Sequence, residues 1–276
     1  MEPQLKADVH LTTNQKLGFA YGLNSQLQLP QVYANNEDLE ATKAHYFTLA
    51  YQNQIKDQVQ LKLEGYYQAL FDVPVSATQS NSFSALNLLN ELVNDTLVNG
   101  GTGTNYGIEI SAQQYFSNNV FWLANLSLYE SKYKGSDGIE RDTRFNGNYI
   151  INLTGGKEFQ WSKKEKDLVL GVNARIAFLG GFKETPIDEV ASANSGTTIF
   201  QDELAFSQNR KNYFRPDLRI YFTRNKKKFN STLALDIQNV SNQKNVSFQN
   251  FDNFRNEVVQ NYQLGIIPIL NYRIEF

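Results

Sequence analysis

The chain has 276 residues, of which 41% are hydrophobic, 13% aromatic and 20% charged, and its formal net charge is −2. This charge and the pI of about 5.8 give no indication of nucleic acid as a partner, because such proteins usually carry a basic surface. Cysteine is absent, which excludes disulfides and cysteine-bound metals, and we expect no cofactor. No run of about 18 apolar residues predicts a transmembrane helix.

Apolar and polar residues alternate along the whole chain, which predicts β-strands. Most of the strands are longer than the usual five to six or so residues and match the roughly 9–11 residues of a tilted membrane-spanning strand. The sequence therefore predicts an all-β, antiparallel fold of about eleven long strands. The predicted strands are residues 4–11, 17–28, 43–55, 59–71, 104–117, 120–133, 145–160, 168–180, 211–224, 229–240 and 261–276.

The connections between these strands alternate between short and long. Short polar turns are predicted at TTNQK, KD, NN, SKKEK and NKKK, and long loops near 29–42, 72–103, 134–144, 181–210 and 241–260. This order is typical of an outer-membrane barrel, which has short periplasmic turns and long external loops. A soluble sandwich gives no reason for all the long loops to lie at one end.

The alternation also predicts which side chains share a face. We expect Leu61, Leu170, Ile237 and Ile266 to face lipid, because an arginine or lysine on that side costs about 2–4 kcal/mol at the membrane midplane. The charged residues of the opposite set should line the lumen, where unlike charges can pair across strands. The predicted lumen-facing charged residues are Lys62, Glu64, Glu109, Arg175, Asp217, Arg219, Asp236 and Arg273.

Aromatic residues cluster near the predicted strand ends, which favours two interfacial girdles. The clusters comprise Tyr66, Tyr67, Phe71, Tyr115, Phe116, Phe121, Trp122, Tyr129, Tyr133, Phe159 and Trp161.

Two segments of the long loops have features of their own. The stretch NGGTGTNYG at 99–107 lacks the ending of a phosphate-binding loop and is predicted to be a flexible loop. Residues 83–98 have helical apolar spacing and predict a short helix.

Two other function classes stay open at this point. An outer-membrane barrel hydrolase needs a Ser-His-acid constellation, for which only His10 and His45 are available. A soluble all-β carbohydrate-binding module predicts shorter strands and extraction without detergent.

An ordered set of segments carries a resemblance to a known family. The segments are FAYGLNSQLQLPQVY (19–33), TKAHYFTLAYQ (42–52), GYYQALFDVPVS (65–76), FSALNL (83–88), GGFKETPID (180–188), LDIQNVSNQKNV (235–246) and YQLGIIPILNYRIEF (262–276). The set resembles the C-terminal barrel strands of TonB-dependent outer-membrane receptors, in the variety with an N-terminal carboxypeptidase-regulatory-like domain. The resemblance implies a non-enzymatic transport protein of the bacterial outer membrane that takes up a siderophore, glycan or other large nutrient.

The same resemblance implies a 22-strand barrel, a plug domain inside it and coupling to TonB. Residues 1–276 correspond to the C-terminal half of that barrel, without a plug, and MEPQLKADVHLTTNQK does not read as a signal peptide. The first and last predicted strands run in the same direction, so they cannot pair with each other in an antiparallel barrel. We therefore expect an incomplete half-barrel with free edges at 4–11 and 261–276, whose missing strands precede Met1.

The resemblance also implies partners and a C-terminal signal. The partners would be outer-membrane lipid, the barrel assembly machinery, and the plug and TonB through the missing part; a surface lipoprotein fits the same family. The terminal strand ends on an aromatic residue and resembles the signal read by the assembly machinery, which would comprise Leu270, Tyr272, Ile274 and Phe276.

Overall fold

The computed structural model describes residues 2–34, 36–79, 81–89, 91–162 and 167–276. Within these residues it contains two short α-helices, α1 (Pro30–Tyr33) and α2 (Glu189–Ser195), and sixteen strands. The strands are β1 (Gln4–His10), β2 (Gln15–Gln26), β3 (Thr42–Lys56), β4 (Val59–Ser76), β5 (Leu97–Ser117), β6 (Val120–Lys134), β7 (Glu140–Asp142), β8 (Tyr149–Ser162), β9 (Asp167–Leu179), β10 (Lys183–Glu184), β11 (Gln208–Asn209), β12 (Tyr213–Asn225), β13 (Asn230–Gln238), β14 (Val246–Asp252), β15 (Glu257–Tyr262) and β16 (Ile267–Glu275).

Eleven long strands form one antiparallel sheet in chain order, which confirms the predicted all-β architecture. The order is β1-β2-β3-β4-β5-β6-β8-β9-β12-β13-β16, and the short β7 pairs with the end of β6. In the described part of the chain β1 pairs only with β2, and β16 pairs only with β13. The sheet is therefore not closed, as expected for part of a barrel.

Short and long connections lie at opposite ends of this sheet, because every neighbouring pair of strands is antiparallel. The β5–β6 turn has two residues, with φ of 51° at Asn118 and 62° at Asn119. Positive φ at both central residues is what a type I′ hairpin turn requires, and asparagine tolerates it. The predicted SKKEK turn begins at Ser162, which is the last residue of β8, and its residues 163–166 lie outside the described residues.

The last strand was predicted to begin at residue 261, and this prediction was wrong. Residues 257–262 pair with β14 to form a hairpin at the long-loop end, and β16 begins only at Ile267. Ile266 therefore precedes the strand, and its backbone N–H donates to Asn242 Oδ1 at 3.1 Å. The apolar alternation runs through both strands, so it could not show where the chain leaves one sheet and enters the other.

The glycine-rich segment at 99–107 was also predicted incorrectly, because it lies inside β5 and pairs with β4 and β6. A Cβ atom at Gly101 would overlap the Val75 side chain and would approach the carbonyl oxygens of Val73 and Lys134 to 3.1 and 3.2 Å. These glycines therefore allow close approach of neighbouring strands rather than loop freedom. The short helix expected in 83–98 is reduced to one 3₁₀ turn at Ala85–Asn87.

A small hydrophobic core lies among the long loops rather than within the sheet. Val32, Leu39, Val93 and Leu97 are buried together, and they join the β2–β3 connection to the β4–β5 loop. The loops at this end are thus packed structures with their own core. No helix in the described ranges is both long enough and apolar enough to cross a membrane.

Candidate functional site

The main sheet has two chemically different faces, which follow from its register. Residues directly opposite each other on neighbouring strands lie on the same side of a sheet. We call the side that carries Leu61, Leu170 and Ile237 the apolar face, and the side that carries Lys62 and Asp236 the polar face. All eight charged residues predicted to face a lumen lie on the polar face. That this face lines the interior of a barrel remains a prediction.

One pair of these charges meets across two strands. Arg219 on β12 lies opposite Asp236 on β13, and its Nη1 donates to both carboxylate oxygens at 3.0 and 3.1 Å. Asn271 Nδ2 on β16 donates to the same carboxylate at 2.7 Å. This network ties the last three strands of the sheet together on the polar face.

The other charges pair mostly along one strand, between residues two positions apart. Lys62 and Glu64 lie 2.8 Å apart, Arg273 and Glu275 2.7 Å, and Arg215 donates to Asp217 at 2.7 Å. Two of the predicted lumen-facing charged residues have weak side-chain interactions or none. The Glu109 side chain accepts only a long hydrogen bond of 3.4 Å from Ser127. The Arg175 side chain is exposed and makes no ion pair or hydrogen bond within the described residues.

The aromatic residues predicted to form girdles divide between the two faces of the sheet, and the girdles themselves remain a prediction. Tyr67, Phe71, Trp122, Phe159 and Trp161 lie on the apolar face. Their partners in the predicted clusters lie on the polar face, because adjacent residues of a strand point to opposite sides. Of the residues in the predicted clusters, Tyr66, Phe121, Tyr129 and Tyr133 lie on the polar face.

Tyr133 shows why an aromatic residue at a strand end need not belong to a girdle. It is only 1% exposed, and its ring packs edge-on against Phe206 with 6.0 Å between centroids. The β9–β12 connection therefore folds over the long-loop end of the polar face.

The C-terminal residues of the proposed assembly signal lie on the apolar side of a free edge. Leu270, Tyr272 and Ile274 are opposite residues of β13 that share the apolar face. Phe276 follows β16, and its ring centroid lies 6.4 Å from that of Phe229. Recognition of these residues by an assembly machinery remains a prediction.

A cavity of about 500 Å³ lies among the long loops. The β4–β5 loop, the β9–β12 connection and β14 supply most of its lining, and Arg144 completes it. This size falls in the range of about 300–1,000 Å³ that is usual for small-molecule sites. We take this cavity, which we call the loop cavity, as the candidate functional site.

Ion pairs join the loops around the cavity. Arg144 Nη1 lies 2.8 Å from Glu91 Oε1, and Lys183 Nζ lies 3.1 Å from Asp142. Arg210 donates to Glu184 through Nε at 2.9 Å and Nη2 at 2.6 Å. Arg210 Nη1 also donates to the backbone carbonyl of Ser247 on β14 at 2.7 Å. Together these contacts link the four long connections β4–β5, β6–β8, β9–β12 and β13–β16.

Two opposing effects act on the pKa of the Glu91 carboxylate. Desolvation raises its pKa, but the hydrogen bonds from the Arg144 side chain and the Leu89 backbone N–H outweigh that effect. The net result is a pKa below the usual value of 4.5, so the carboxylate stays ionised and paired at neutral pH.

The lining combines aromatic surface with an unsatisfied donor. Phe83, Phe200, Phe206 and Phe248 line the cavity, and the Arg144 guanidinium lies 5.8 Å from the Phe206 ring centroid. Asn87 is 7% exposed; its Oδ1 accepts from the Arg144 backbone at 2.9 Å. Its Nδ2 is buried and finds no acceptor among the described residues.

A buried amide without a partner is costly, but the Asn87 Nδ2 atom is itself buried and offers no contact surface to a ligand in the cavity. The paired cations and anions can donate and accept further hydrogen bonds, and the phenylalanine rings can cover apolar surface. The arrangement can bind a polar organic molecule; it holds no nucleophile–base pair that we can identify in the described residues.

Sequence reasoning did not find this site. Its residues come from segments far apart in the chain, and none of them forms a motif with a fixed spacing. Two of the segments quoted for their resemblance do contribute to the lining: FSALNL contains Phe83, Ser84, Asn87 and Leu88, and GGFKETPID contains Lys183, Glu184, Thr185 and Ile187.

Neither the comparison with models of known families nor the comparison with curated proteins gave a match. Solved structures do match. The ferric-catecholate import receptor Fiu from K12 E. coli has a TM-score of 0.60 and 13% identity over 97% of this chain. BauA, the ferric preacinetobactin receptor from Acinetobacter baumannii, has a TM-score of 0.63 and 15% identity over 100% of the chain. The FrpB iron transporter from Neisseria meningitidis has a TM-score of 0.59 and 11% identity over 99%.

The chain spans only about a third of the length of each of these structures, namely 34%, 36% and 38%. At such low identity the likeness shows the fold and not the ligand. The open sheet of eleven antiparallel strands, with short turns at one end and long packed loops at the other, is therefore the fold of part of a receptor barrel.

Proposed function

We propose that this chain forms part of the barrel of a TonB-dependent outer-membrane receptor, in the variety with a carboxypeptidase-regulatory-like domain, which imports a siderophore, glycan or comparable nutrient. The quoted sequence segments and the fold of the three iron receptors support this proposal independently. One observation carries it: an apolar face that extends over the whole sheet and is exposed.

The exposed apolar face is too extensive for a water-soluble protein. Large hydrophobic side chains that are at least a third exposed occur on each of the eleven long strands of the sheet. Monomeric soluble proteins rarely expose apolar patches above about 300–600 Å². In a lipid bilayer the same side chains are stabilised. Representative members from successive strands are Val9, Phe19, Leu49, Leu63, Ile108, Leu128, Leu153, Ile176, Ile220, Leu235 and Leu270.

The free edges indicate that a further segment completes the barrel. The connections show that β1 and β16 both run from the long-loop end to the short-turn end, and all pairs in the sheet are antiparallel. An open edge in hydrocarbon leaves backbone groups unsatisfied at several kcal/mol each. The completing segment must supply an odd number of strands, so that it pairs antiparallel with both edges.

The remaining partners follow from the same proposal. A plug domain would pack against the polar face, where the exposed Arg175 is available to it, and would connect the barrel to TonB. The assembly machinery would recognise Leu270, Tyr272, Ile274 and Phe276. A surface lipoprotein would meet the long loops. We propose that the loop cavity contributes to nutrient binding, because it lies where the long loops fold over the polar face.

The hydrolase alternative receives no support from the surroundings of the histidines. His45 Nδ1 lies 3.1 Å from Tyr21 Oη, and its ring stacks with Phe71. Both neighbours are aromatic, and the solved structures that match are transport receptors rather than enzymes.

Cysteine labelling tests the proposed topology, since the natural chain has no cysteine. Phe254 is fully exposed at the tip of the β14–β15 hairpin, and Asp57 lies in the β3–β4 turn at the opposite end of the sheet. On intact cells, a membrane-impermeant maleimide should label Phe254→Cys but not Asp57→Cys, and both should react after lysis. Recovery of the protein in the soluble fraction, or labelling of both variants on intact cells, would contradict the proposal.

A further inference from the structure

The loop cavity carries more acidic than basic side chains among the described residues of its lining. The basic ones are Arg144, Lys183 and Arg210, and the acidic ones are Glu91, Asp95, Glu184 and Asp202. A charge that is already paired within the protein has less to offer to a ligand than one that is not. The pairing of these side chains therefore indicates which ligand charge the cavity favours.

Each of the three cations already has an acidic partner. Arg144 lies 2.8 Å from Glu91, and Arg210 holds another carboxylate of the lining at 2.6 Å. Lys183 lies 3.1 Å from Asp142, an acid outside the lining. The three cationic side chains are also mostly covered, since they are only 26%, 21% and 11% exposed. The cavity therefore presents little positive charge to an anionic ligand.

Two carboxylates of the lining, those of Asp95 and Asp202, have no such partner. Asp95 lies in the β4–β5 loop and is partly exposed, and Asp202 begins a 3₁₀ turn of the β9–β12 connection and is exposed. Neither side chain makes an ion pair or hydrogen bond within the described residues. Two separate loops thus each contribute an uncompensated negative charge to the cavity.

The phenylalanine rings of the lining suit the carbon part of a ligand. Phe200 and Phe248 are 47% and 53% exposed, so much of each ring is free for contact. The face of an aromatic ring also attracts a cation, and the contact between Arg144 and Phe206 shows this attraction within the same cavity. The lining therefore favours positive charge next to apolar surface.

Phe206 indicates that this lining is formed before any ligand binds. Its φ is 56°, which is an outlier for a bulky residue. Its backbone N–H donates to Thr185 Oγ1 at 3.1 Å, and its ring packs edge-on against Tyr133. These contacts hold the ring in place, as is usual for small-molecule sites, which are largely pre-formed.

From this charge balance we propose that the loop cavity binds an organic cation, namely an ammonium or guanidinium group attached to an apolar or aromatic part. The cationic group contacts Asp95 and Asp202, and the carbon part lies against Phe200 and Phe248. The proposal rests on the proposed function, because it names the ligand class of the same cavity. An oligopeptide with a basic side chain and a free aromatic amine both have this chemistry.

Binding of four small water-soluble probes to the detergent-purified membrane protein, together with any segment that completes its sheet, tests the proposal. Acetyl-lysyl-phenylalanine amide carries a cation, its norleucyl counterpart is neutral and its glutamyl counterpart is an anion. Phenethylamine represents a free amine. In titrations followed by NMR of the probes, the two amines should bind most tightly and the glutamyl probe most weakly. The tighter of the two amines identifies the source of the ligand.

Matched variants separate the cavity from general effects of charge. Asp95→Asn and Asp202→Asn should each weaken binding of the lysyl probe roughly fivefold, the effect of losing a partly exposed ion pair. Neither should change binding of the norleucyl probe. Glu203→Gln is the control, because Glu203 neighbours Asp202 in the same turn but lies outside the lining.

The aromatic contribution has its own pair of variants. Phe200→Ala should weaken binding of the lysyl and norleucyl probes by the same factor, because the ring contacts the carbon part that both probes share. Phe254→Ala removes an exposed ring at the tip of the β14–β15 hairpin, outside the lining, and should change neither.

Two results would overturn the proposal. Binding of the norleucyl or glutamyl probe as tight as that of the lysyl probe would exclude a cation site. Unchanged binding of the lysyl probe by both aspartate variants would show that Asp95 and Asp202 do not hold the cation. Failure of the wild-type protein to fractionate with membranes would count against the proposed function, whereas a membrane protein that binds neither amine would refute only this inference.

Discussion

Tyr221 on β12 donates a hydrogen bond of 2.6 Å to Glu158 on β8, across the intervening strand β9. The bond is possible because Gly171 of β9 lies directly between the two residues in the register. A Cβ on Gly171 would overlap the Tyr221 ring. A side chain at this position must therefore displace the tyrosine.

We expect Gly171→Ala to destabilise the sheet by about 1–3 kcal/mol, the usual cost of overpacking. Gly65→Ala is the matched control, because its new methyl group enters open space on the other face. Thermal unfolding of both variants in detergent measures the difference. A Gly171→Ala protein as stable as Gly65→Ala would show that Tyr221 does not occupy this position.

The assignment of faces can be tested at two adjacent residues of β5. Ile110 lies on the apolar face, and Ser111 lies on the polar face, where it hydrogen-bonds to Asn125 at 2.8 Å. Ile110→Arg should lower the level of membrane-inserted protein, because a lipid-facing arginine costs about 2–4 kcal/mol near the midplane. Ser111→Arg should have a much smaller effect, since it adds the same charge to a wet surface.

Quantitative immunoblots of the membrane fraction measure both variants. Equal losses would indicate that the two faces are not in different environments, and a larger loss for Ser111→Arg would reverse the assignment. The pair also tests the register, because a shift by one residue would exchange the two faces.

The packing of the loops should depend on pH through Glu91. The pKa of Glu91 is lowered in the folded state. Its pairing with Arg144 therefore stabilises the folded loop fully at pH values above the ordinary pKa of 4.5. This stabilisation is lost as the pH falls through the lowered pKa. For a pair this exposed, the contribution is about 0.2–1 kcal/mol. We expect limited proteolysis of the β4–β5 loop to accelerate on acidification.

In Glu91→Gln the loop should be cleaved faster at neutral pH, and its cleavage should depend less on pH than that of the wild type. Glu37→Gln, which replaces an acid of the β2–β3 connection outside the cavity, is the control. The wild-type cleavage rate must be corrected for the effect of pH on the protease. If the corrected rate does not change as the pH falls through the lowered pKa of Glu91, the ion pair does not hold the loop.

The last residue offers a test of the assembly signal. Removal of Phe276 deletes an exposed aromatic ring whose nearest ring is that of Phe229, and it removes no residue of the loop cavity. We expect lower amounts of assembled protein in the outer membrane, with unchanged ligand binding per molecule. Phe276→Tyr keeps an aromatic end and should assemble normally. Equal membrane levels for the deletion and the wild type would refute the signal.

Much of the fold could be read from the sequence because a half-buried strand imposes a period of two. The alternation at Leu61, Lys62 and Glu64, and again at Leu235 and Asp236, predicted both the number of long strands and the side chains that share each face. Antiparallel pairing then required all long connections to lie at one end. Neither conclusion needs any information on long-range contacts.

The tertiary structure decided what the alternation cannot encode. The same apolar period runs through β15 and β16, so only pairing partners show that Tyr262 belongs to a loop hairpin. The loop cavity unites Asn87, Arg144 and Arg210, which lie on three different connections. In each case the feature arises from residues brought together by pairing and packing, and local sequence constrains only the residue types, not their neighbours in space.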